Sequence, residues 1–170
     1  QIPFLLKMIL LEVHPIIKEE ILNNSFISGG CIPSMIIDEF VNDYDLYLTN
    51  KESVDKVYKY FLEHKIDFKE KFHVSLITEN SINLSDKIQI VIKYYGDPTE
   101  VTEKFDWGHI KSYYSCWNEK LVIVPDTYRL CIEKELIYTG SDYPLSSLLR
   151  TRKFIKKGWT VSAGTILHIV

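Results

Sequence analysis

The stretch from Ser25 to Leu48 constrains this chain more than any other. It begins with an apolar pair, Phe26-Ile27, that reads as the end of a strand, and passes through Ser28-Gly29-Gly30, a turn without side-chain bulk. The apolar segment Ile32 to Ile37 reads as a short helix, and a polar loop then leads through Asp43-Tyr44-Asp45 into a second strand, Leu46-Tyr47-Leu48. Side chains alternate along a strand, so Asp43 and Asp45 share one face while Tyr44 and Leu46 share the other. Two carboxylates on one face repel each other unless a cation lies between them. Hard oxygen ligands in that arrangement suit Mg²⁺, which takes one or two carboxylates together with substrate phosphates. A glycine turn at a helix start leaves backbone N–H groups free to receive a phosphate. The stretch predicts a phosphate cradle beside a metal clamp.

The order strand, Gly-Gly turn, helix, strand with Asp-x-Asp resembles the signature of the DNA polymerase β-like nucleotidyltransferase superfamily. The closest flavour is the poly(A) polymerase and tRNA CCA-adding branch, whose Gly-Gly-x-x-Arg-Asp precedes Asp-x-Asp. Gly29-Gly30-Cys31-Ile32 fits that pattern, whereas Pro33 and Ser34 stand where the branch has Arg and Asp. The chain looks more like the small nucleotidyltransferase domains of bacteriophages and large DNA viruses. The resemblance implies an α/β (α+β) fold with a mixed central β-sheet flanked by helices. It also implies transfer of a nucleoside monophosphate from an NTP to a hydroxyl, with release of pyrophosphate and with Mg²⁺ or Mn²⁺ as cofactor. An RNA 3′ end, tRNA included, is the first expected acceptor, with protein and small-molecule hydroxyls open. Gly29 and Gly30 would orient the triphosphate, with Ser28 as a hydrogen-bond partner.

Composition bounds the alternatives. A chain of 170 residues with 46% hydrophobic residues is one globular domain, or one domain and the start of another, with room for a proper core. The net charge of −3 supplies no global field for nucleic acid, so any such contact needs a local patch. Cys31, Cys116 and Cys131 are scattered, which argues against a zinc site or a disulfide framework and for a reducing compartment. No apolar run approaches the ~20 residues of a membrane span. The expected location is the cytoplasm, that of the host cell for a phage or viral protein. Residues 1–158 read as the nucleotidyltransferase domain and 159–170 as a C-terminal helix, cut short.

Ile2 to Asn23 reads as an amphipathic helix, entered or broken at Pro15, and Asn50 to His64 as another. Residues 73–78 and 81–84 read as a strand pair, and Lys87 to Tyr95 is the strongest strand, alternating Ile88, Ile90 and Ile92 with Gln89, Val91 and Lys93. Asp97-Pro98 starts a helix over 99–104. A hairpin is expected from 109–116 and 120–124, a helix over 127–134, a short strand over 135–139 and a last helix near 161–170.

Asp106 follows the 99–104 helix, in an arrangement that resembles the third-carboxylate region of the phage and viral proteins. The resemblance implies a third acidic residue on a neighbouring central strand, so that Asp43, Asp45 and Asp106 lie along one sheet edge and hold two metal ions. His109 reads as a surface or structural histidine, on the strand face opposite Asp106, and the other histidines show no ligand spacing either. Tyr143 to Lys157 is a helix with Pro144 at its start and Gly158 past its end. Arg150, Lys153 and Lys157 share one face, and Arg152 and Lys156 form a second stripe. This segment resembles the Arg-x-x-Lys-Tyr-x-x-Arg-Gly pattern of phage nucleotidyltransferase-like proteins, which assigns Arg150 and Lys153 to nucleotide binding. A solvated basic face is the competing reading. The rival function is a catalytically inactive module of the same fold that binds nucleic acid or a protein partner, favoured by Pro33 and disfavoured by Asp43 and Asp45.

Overall fold

A computed structural model describes residues 2–3, 15–64, 74–85 and 87–169. The expected helix before residue 15 and the connection at 65–73 lie outside the described residues. Among the described residues, seven strands form one mixed sheet in the order β3-β4-β5-β2-β1-β6-β7. The strands are β1 (Ser25–Ser28), β2 (Tyr44–Leu48), β3 (Val74–Ile77), β4 (Ser81–Leu84), β5 (Ile88–Tyr95), β6 (Tyr113–Ser115) and β7 (Lys120–Val122). β2 and β5 run parallel, and every other pair is antiparallel. A parallel pair needs a long crossover, and here the chain makes it through helix α3 (Lys51–Glu63) and the β3–β4 hairpin.

One face of the sheet carries Ile27, Leu46, Leu48, Ile82 and Ile90, all nearly inaccessible to solvent. Helix α1 (Pro15–Asn23) and α3 cover this face with Ile21, Val54, Val57 and Phe61. Each fully buried side chain of this size contributes roughly 1.5–3 kcal/mol. Asn50 caps α3 by accepting from the Ser53 N–H at 2.8 Å, and the Ser53 hydroxyl donates to Glu20 at 2.6 Å, tying the two helices together.

The opposite face carries Phe26, Tyr47 and Asp45. Phe26 and Tyr47 stack with ring centroids 5.3 Å apart, and Val101 of α4 (Pro98–Glu103) packs on them. Helices therefore lie on both faces of the sheet. Asp97 caps α4 by accepting from the Thr99 N–H at 3.0 Å, with Pro98 in the first turn as its fixed φ allows. A second apolar cluster, built on Trp107, Cys131, Leu136 and Trp159, is assembled from α5 (Thr127–Glu133), α6 (Pro144–Lys156) and α7 (Ala163–Ile169) with the segments between them. Trp159 and Ile169, beyond the expected boundary at 158, belong to this cluster.

One expected strand is shortened and another is replaced. Residues 108–110 form a 3₁₀ turn rather than the start of the hairpin. His109 is there held among the rings of Phe154 and Trp159, at 5.0 and 4.3 Å between centroids, and that packing takes the backbone out of the extended form. Residues 135–139 make only isolated bridges, Glu135 with Thr160 and Trp107 with Tyr138. No sheet edge is presented to them.

Candidate active site

The site grows from β1 and β2. After Ser28 the chain turns at Gly29, whose φ of +90° lies in the left-handed region that side chains disfavour. A Cβ there would also stand 3.0 Å from Asp45 Oδ2, so the turn needs glycine both for its conformation and for its approach to the carboxylate. Gly30 is different: its φ is −68°, and nothing lies within 4 Å of a Cβ placed on it. It precedes α2 (Cys31–Ile36), a single short turn of helix.

Asp45 lies on β2 with Ser28 beside it on β1 and Gln89 beside it on β5. Asp43 precedes the strand in a loop pinned by Lys87, whose ammonium donates to the Val41 carbonyl at 3.0 Å. The Tyr44 N–H donates to the Lys87 carbonyl at 2.8 Å. Asp43 and Asp45 open into one cleft of 570 Å³, with Gly29, Gly30 and Gln89 on the sheet side and Arg150, Lys153 and Lys157 on the α6 side. Burial first, and the charge of Asp43 second, push the Asp45 carboxyl up to about 6, while Arg150 pulls it down. A cation beside the pair would relieve the smaller, like-charge part of that rise. Asp43 and Asp45 are the residues that would hold a Mg²⁺ ion.

One cleft brings together Gly29, Gly30, Asp43, Asp45, Asp106, Arg150 and Lys153. Ser28, although beside Asp45 on β1, does not line it. Ser28 is fully buried and its hydroxyl donates to the Ser112 carbonyl at 2.7 Å, so it serves the packing of β1 rather than a nucleotide.

Asp106 also departs from expectation. It sits in the loop after α4, on no strand, and it is buried. Its Oδ1 accepts from Arg150 at 2.6 Å and its Oδ2 from Ser147 at 2.8 Å. Among the described residues no three His, Cys, Asp or Glu side chains are grouped to hold a metal ion. The expected three-carboxylate cluster is therefore not formed: Asp106 lines the cleft but has its oxygens turned to α6. The neighbouring central strand presents an amide, Gln89, in register with Asp45. The signal for Gln89 was present in the Ile-Gln-Ile alternation, since a polar residue between buried isoleucines points to the opposite face.

His109 is 1% exposed, and burial, with Arg150 adding, lowers its imidazole to about 3. It is a neutral ring in the aromatic cluster. Cys31, beside the glycine turn, has its thiol pushed up to about 12 by burial and then by Asp45, which removes it as a nucleophile. Pro33, where the resemblance expects Arg, lines an adjoining 140 Å³ hollow with Phe40 and Trp159.

The fold is that of the nucleotidyltransferase domains among solved structures. A model of the Gabija anti-defense 2 family matches residues 5–134, and the chain belongs to that family. A family relative, Gabija anti-defense 2 of Bacillus phage SPbetaL7, is 25% identical over 153 residues, covering 87% of this chain and 37% of the relative. Among solved structures, the Thermotoga maritima CCA-adding enzyme complexed with tRNA superposes with a TM-score of 0.58 at 14% identity, covering 96% of this chain and 43% of the enzyme. A tRNA-processing enzyme in an apo form gives 0.61 at 12% identity over 99% of this chain and 45% of that one. The Bacillus stearothermophilus CCA-adding enzyme in complex with CTP gives 0.58 at 8% identity over 86% and 38%. This chain thus spans less than half the length of these relatives. No helix among the described residues is long and apolar enough to cross a membrane.

Proposed function

We propose that this chain is a phage anti-defense protein that works through a nucleotide site, binding an NTP with Mg²⁺ and transferring its nucleoside monophosphate to a hydroxyl. The observation that supports this is the single cleft joining the Gly29-Gly30 turn, the Asp43 and Asp45 carboxylates and the cationic face of α6. Asp43 and Asp45 would hold the metal ion, which when bound neutralises phosphate charge and acidifies an attacking hydroxyl. Gly29 lets the backbone approach Asp45 closely, and Lys153 and Lys157 face the phosphates across the cleft. Arg150 reaches the same space with its guanidinium set by Asp106. In the transfer the acceptor hydroxyl loses its proton to solvent as its oxygen bonds to the α-phosphorus, the bridge to the β-phosphate breaks, and pyrophosphate leaves. The fold resemblance supports an RNA 3′ end, tRNA included, as acceptor.

A second reading has its own observation. Gln89 beside Asp45, and Asp106 committed to Arg150, leave the cleft two carboxylates where the expected chemistry uses three. That favours a site that binds a nucleotide or a partner without turnover.

Titration of each NTP into the parent chain and into Asp43→Ala/Asp45→Ala, with and without Mg²⁺, tests the site. Metal-dependent binding lost in the double variant supports it, and labelled NTP with RNA then reads turnover. No NTP binding under any condition sinks the nucleotide reading. Plating of a restricted phage on Gabija-bearing bacteria that express either chain tests the role; equal rescue by both would separate the role from the cleft.

A further inference from the structure

The cleft does not end at Asp106. Beyond the Asp106–Arg150 pair lies a second pocket of 260 Å³, which shares Tyr47, Phe105, Asp106 and Arg150 with the first. Its inner wall is the pair Tyr47 and Phe105, with ring centroids 5.5 Å apart. Its outer wall includes Tyr94, at the end of β5, and Tyr143, just before α6, which are 37% and 52% exposed.

The outer rings are positioned rather than loose. The Lys93 ammonium donates to the Tyr143 hydroxyl and lies 4.3 Å from the Tyr143 ring centroid and 5.4 Å from that of Tyr94. A ring already held this way loses little freedom when a flat ligand stacks on it. Ser146 and Asp142 add hydrogen-bonding groups at the rim. Few polar groups set on an aromatic enclosure are the usual form of a small-ligand site, and 260 Å³ lies just under the range of roughly 300–1,000 Å³ for whole drug-sized ligands. The space suits one heteroaromatic ring system with its sugar. Stacking on tyrosine is tolerant of base identity because every base has a π-face.

We propose that this second pocket binds a nucleobase, and that with the Asp43–Asp45 cleft it forms a two-part site divided by the Asp106–Arg150 pair. The division into a base half and a phosphate half rests on the nucleotide reading above; the base pocket itself needs no metal. The base has two possible sources, the NTP itself or the end nucleoside of an acceptor strand.

The test uses the full chain and calorimetric titration with four nucleosides, four NTPs with Mg²⁺, and an RNA trinucleotide. Four chains are compared: the parent, Tyr94→Ala/Tyr143→Ala, Tyr94→Phe/Tyr143→Phe and Asp43→Ala/Asp45→Ala. Thermal melting of each chain confirms that these half-exposed substitutions leave the fold intact. The expected result is nucleoside binding without Mg²⁺ that weakens at least tenfold in the alanine pair and survives in the phenylalanine and aspartate variants. A matching loss of NTP affinity in the alanine pair assigns the base to the NTP. A loss for the trinucleotide alone assigns it to the acceptor. Unchanged affinities for nucleoside, NTP and trinucleotide in the alanine pair overturn the proposal. Failure of the nucleotide reading looks different: Mg²⁺ then leaves the NTP affinity of the parent chain unchanged, whatever the nucleosides do.

Discussion

Asp106 and Arg150 form a direct ion pair, Oδ1 to Nη1 at 2.6 Å, across 44 residues of sequence. Ser147, one helical turn earlier on α6, donates to the second oxygen at 2.8 Å. The carboxylate fixes both the helix and its arginine, a positioning role. Asp106→Ala leaves the buried Ser147 hydroxyl without its acceptor and is expected to cost about 1–3 kcal/mol in urea unfolding. The charge component falls at the low end, because the Arg150 side chain is 41% exposed. Binding of Mn²⁺ alone is expected to be unchanged in Asp106→Ala and lost in Asp43→Ala/Asp45→Ala. A metal ligand at Asp106 would give a loss in both.

Gln89 stands in register with Asp45 on the parallel neighbour strand. Gln89→Asp adds a third carboxylate to the cleft floor and is expected to tighten Mn²⁺ binding about tenfold, read by paramagnetic relaxation of water. Without metal the same change is expected to destabilise the fold by about 1 kcal/mol through added like-charge repulsion. Unchanged metal affinity would remove Gln89 from the list of residues that face the cleft.

The pH dependence of stability carries two opposed contributions. Asp45 rises from an ordinary 3.8 to about 6, so the folded state binds its proton more readily than the unfolded chain. Its contribution is fully present below about pH 4 and is lost as pH rises through about 6. His109 falls from 6.5 to about 3, so the unfolded chain takes the proton first and stability is lost as pH drops from 6.5 toward 3. The two slopes oppose each other between about pH 4 and 6. Asp45→Asn removes one of them. The variant is expected to match the parent near pH 4, to exceed it by about 2–3 kcal/mol at pH 7, and to lose stability steeply on acidification from 6.5. Denaturant melts across pH 4–7.5 decide this.

Gly29 and Gly30 are adjacent and predicted to respond in opposite ways. Gly29→Ala forces a side chain onto φ +90° and into Asp45 Oδ2, and is expected to cost at least about 1–2 kcal/mol with loss of NTP binding. Gly30→Ala sits at φ −68° in open space and is expected to change stability by less than about 0.5 kcal/mol. Equal responses would mean that the turn is not held as described.

Much of the fold was legible in local pattern. The Ile88–Ile90–Ile92 alternation, the Asn50 and Asp97 caps and the Pro144 and Gly158 brackets around α6 each act over a few residues, and each element is found where its signal lies. The cleft-facing set Arg150, Lys153 and Lys157 was likewise readable from helical spacing. The start of the strand expected over 109–116 failed because the rings around His109 outweigh local preference, while Tyr113–Ser115 form the hairpin strand. The expected strand at 135–139 failed because a strand needs a partner, which no local pattern supplies.

Local sequence sets the Gly-Gly turn, the strand that carries Asp45 and the cationic face of α6, since periodicity and glycine conformation are properties of neighbouring residues. The role of Asp106 is set by long-range packing. A carboxylate takes its role from the donors it meets, and here those donors, Ser147 and Arg150, arrive on a helix some 40 residues later. The same holds for Ser28, turned inward to Ser112, and for Gln89, whose place beside Asp45 exists only because β2 and β5 pair in parallel. Strand order and long-range hydrogen bonds depend on which surfaces find each other when the chain collapses, and no short stretch of sequence contains both partners.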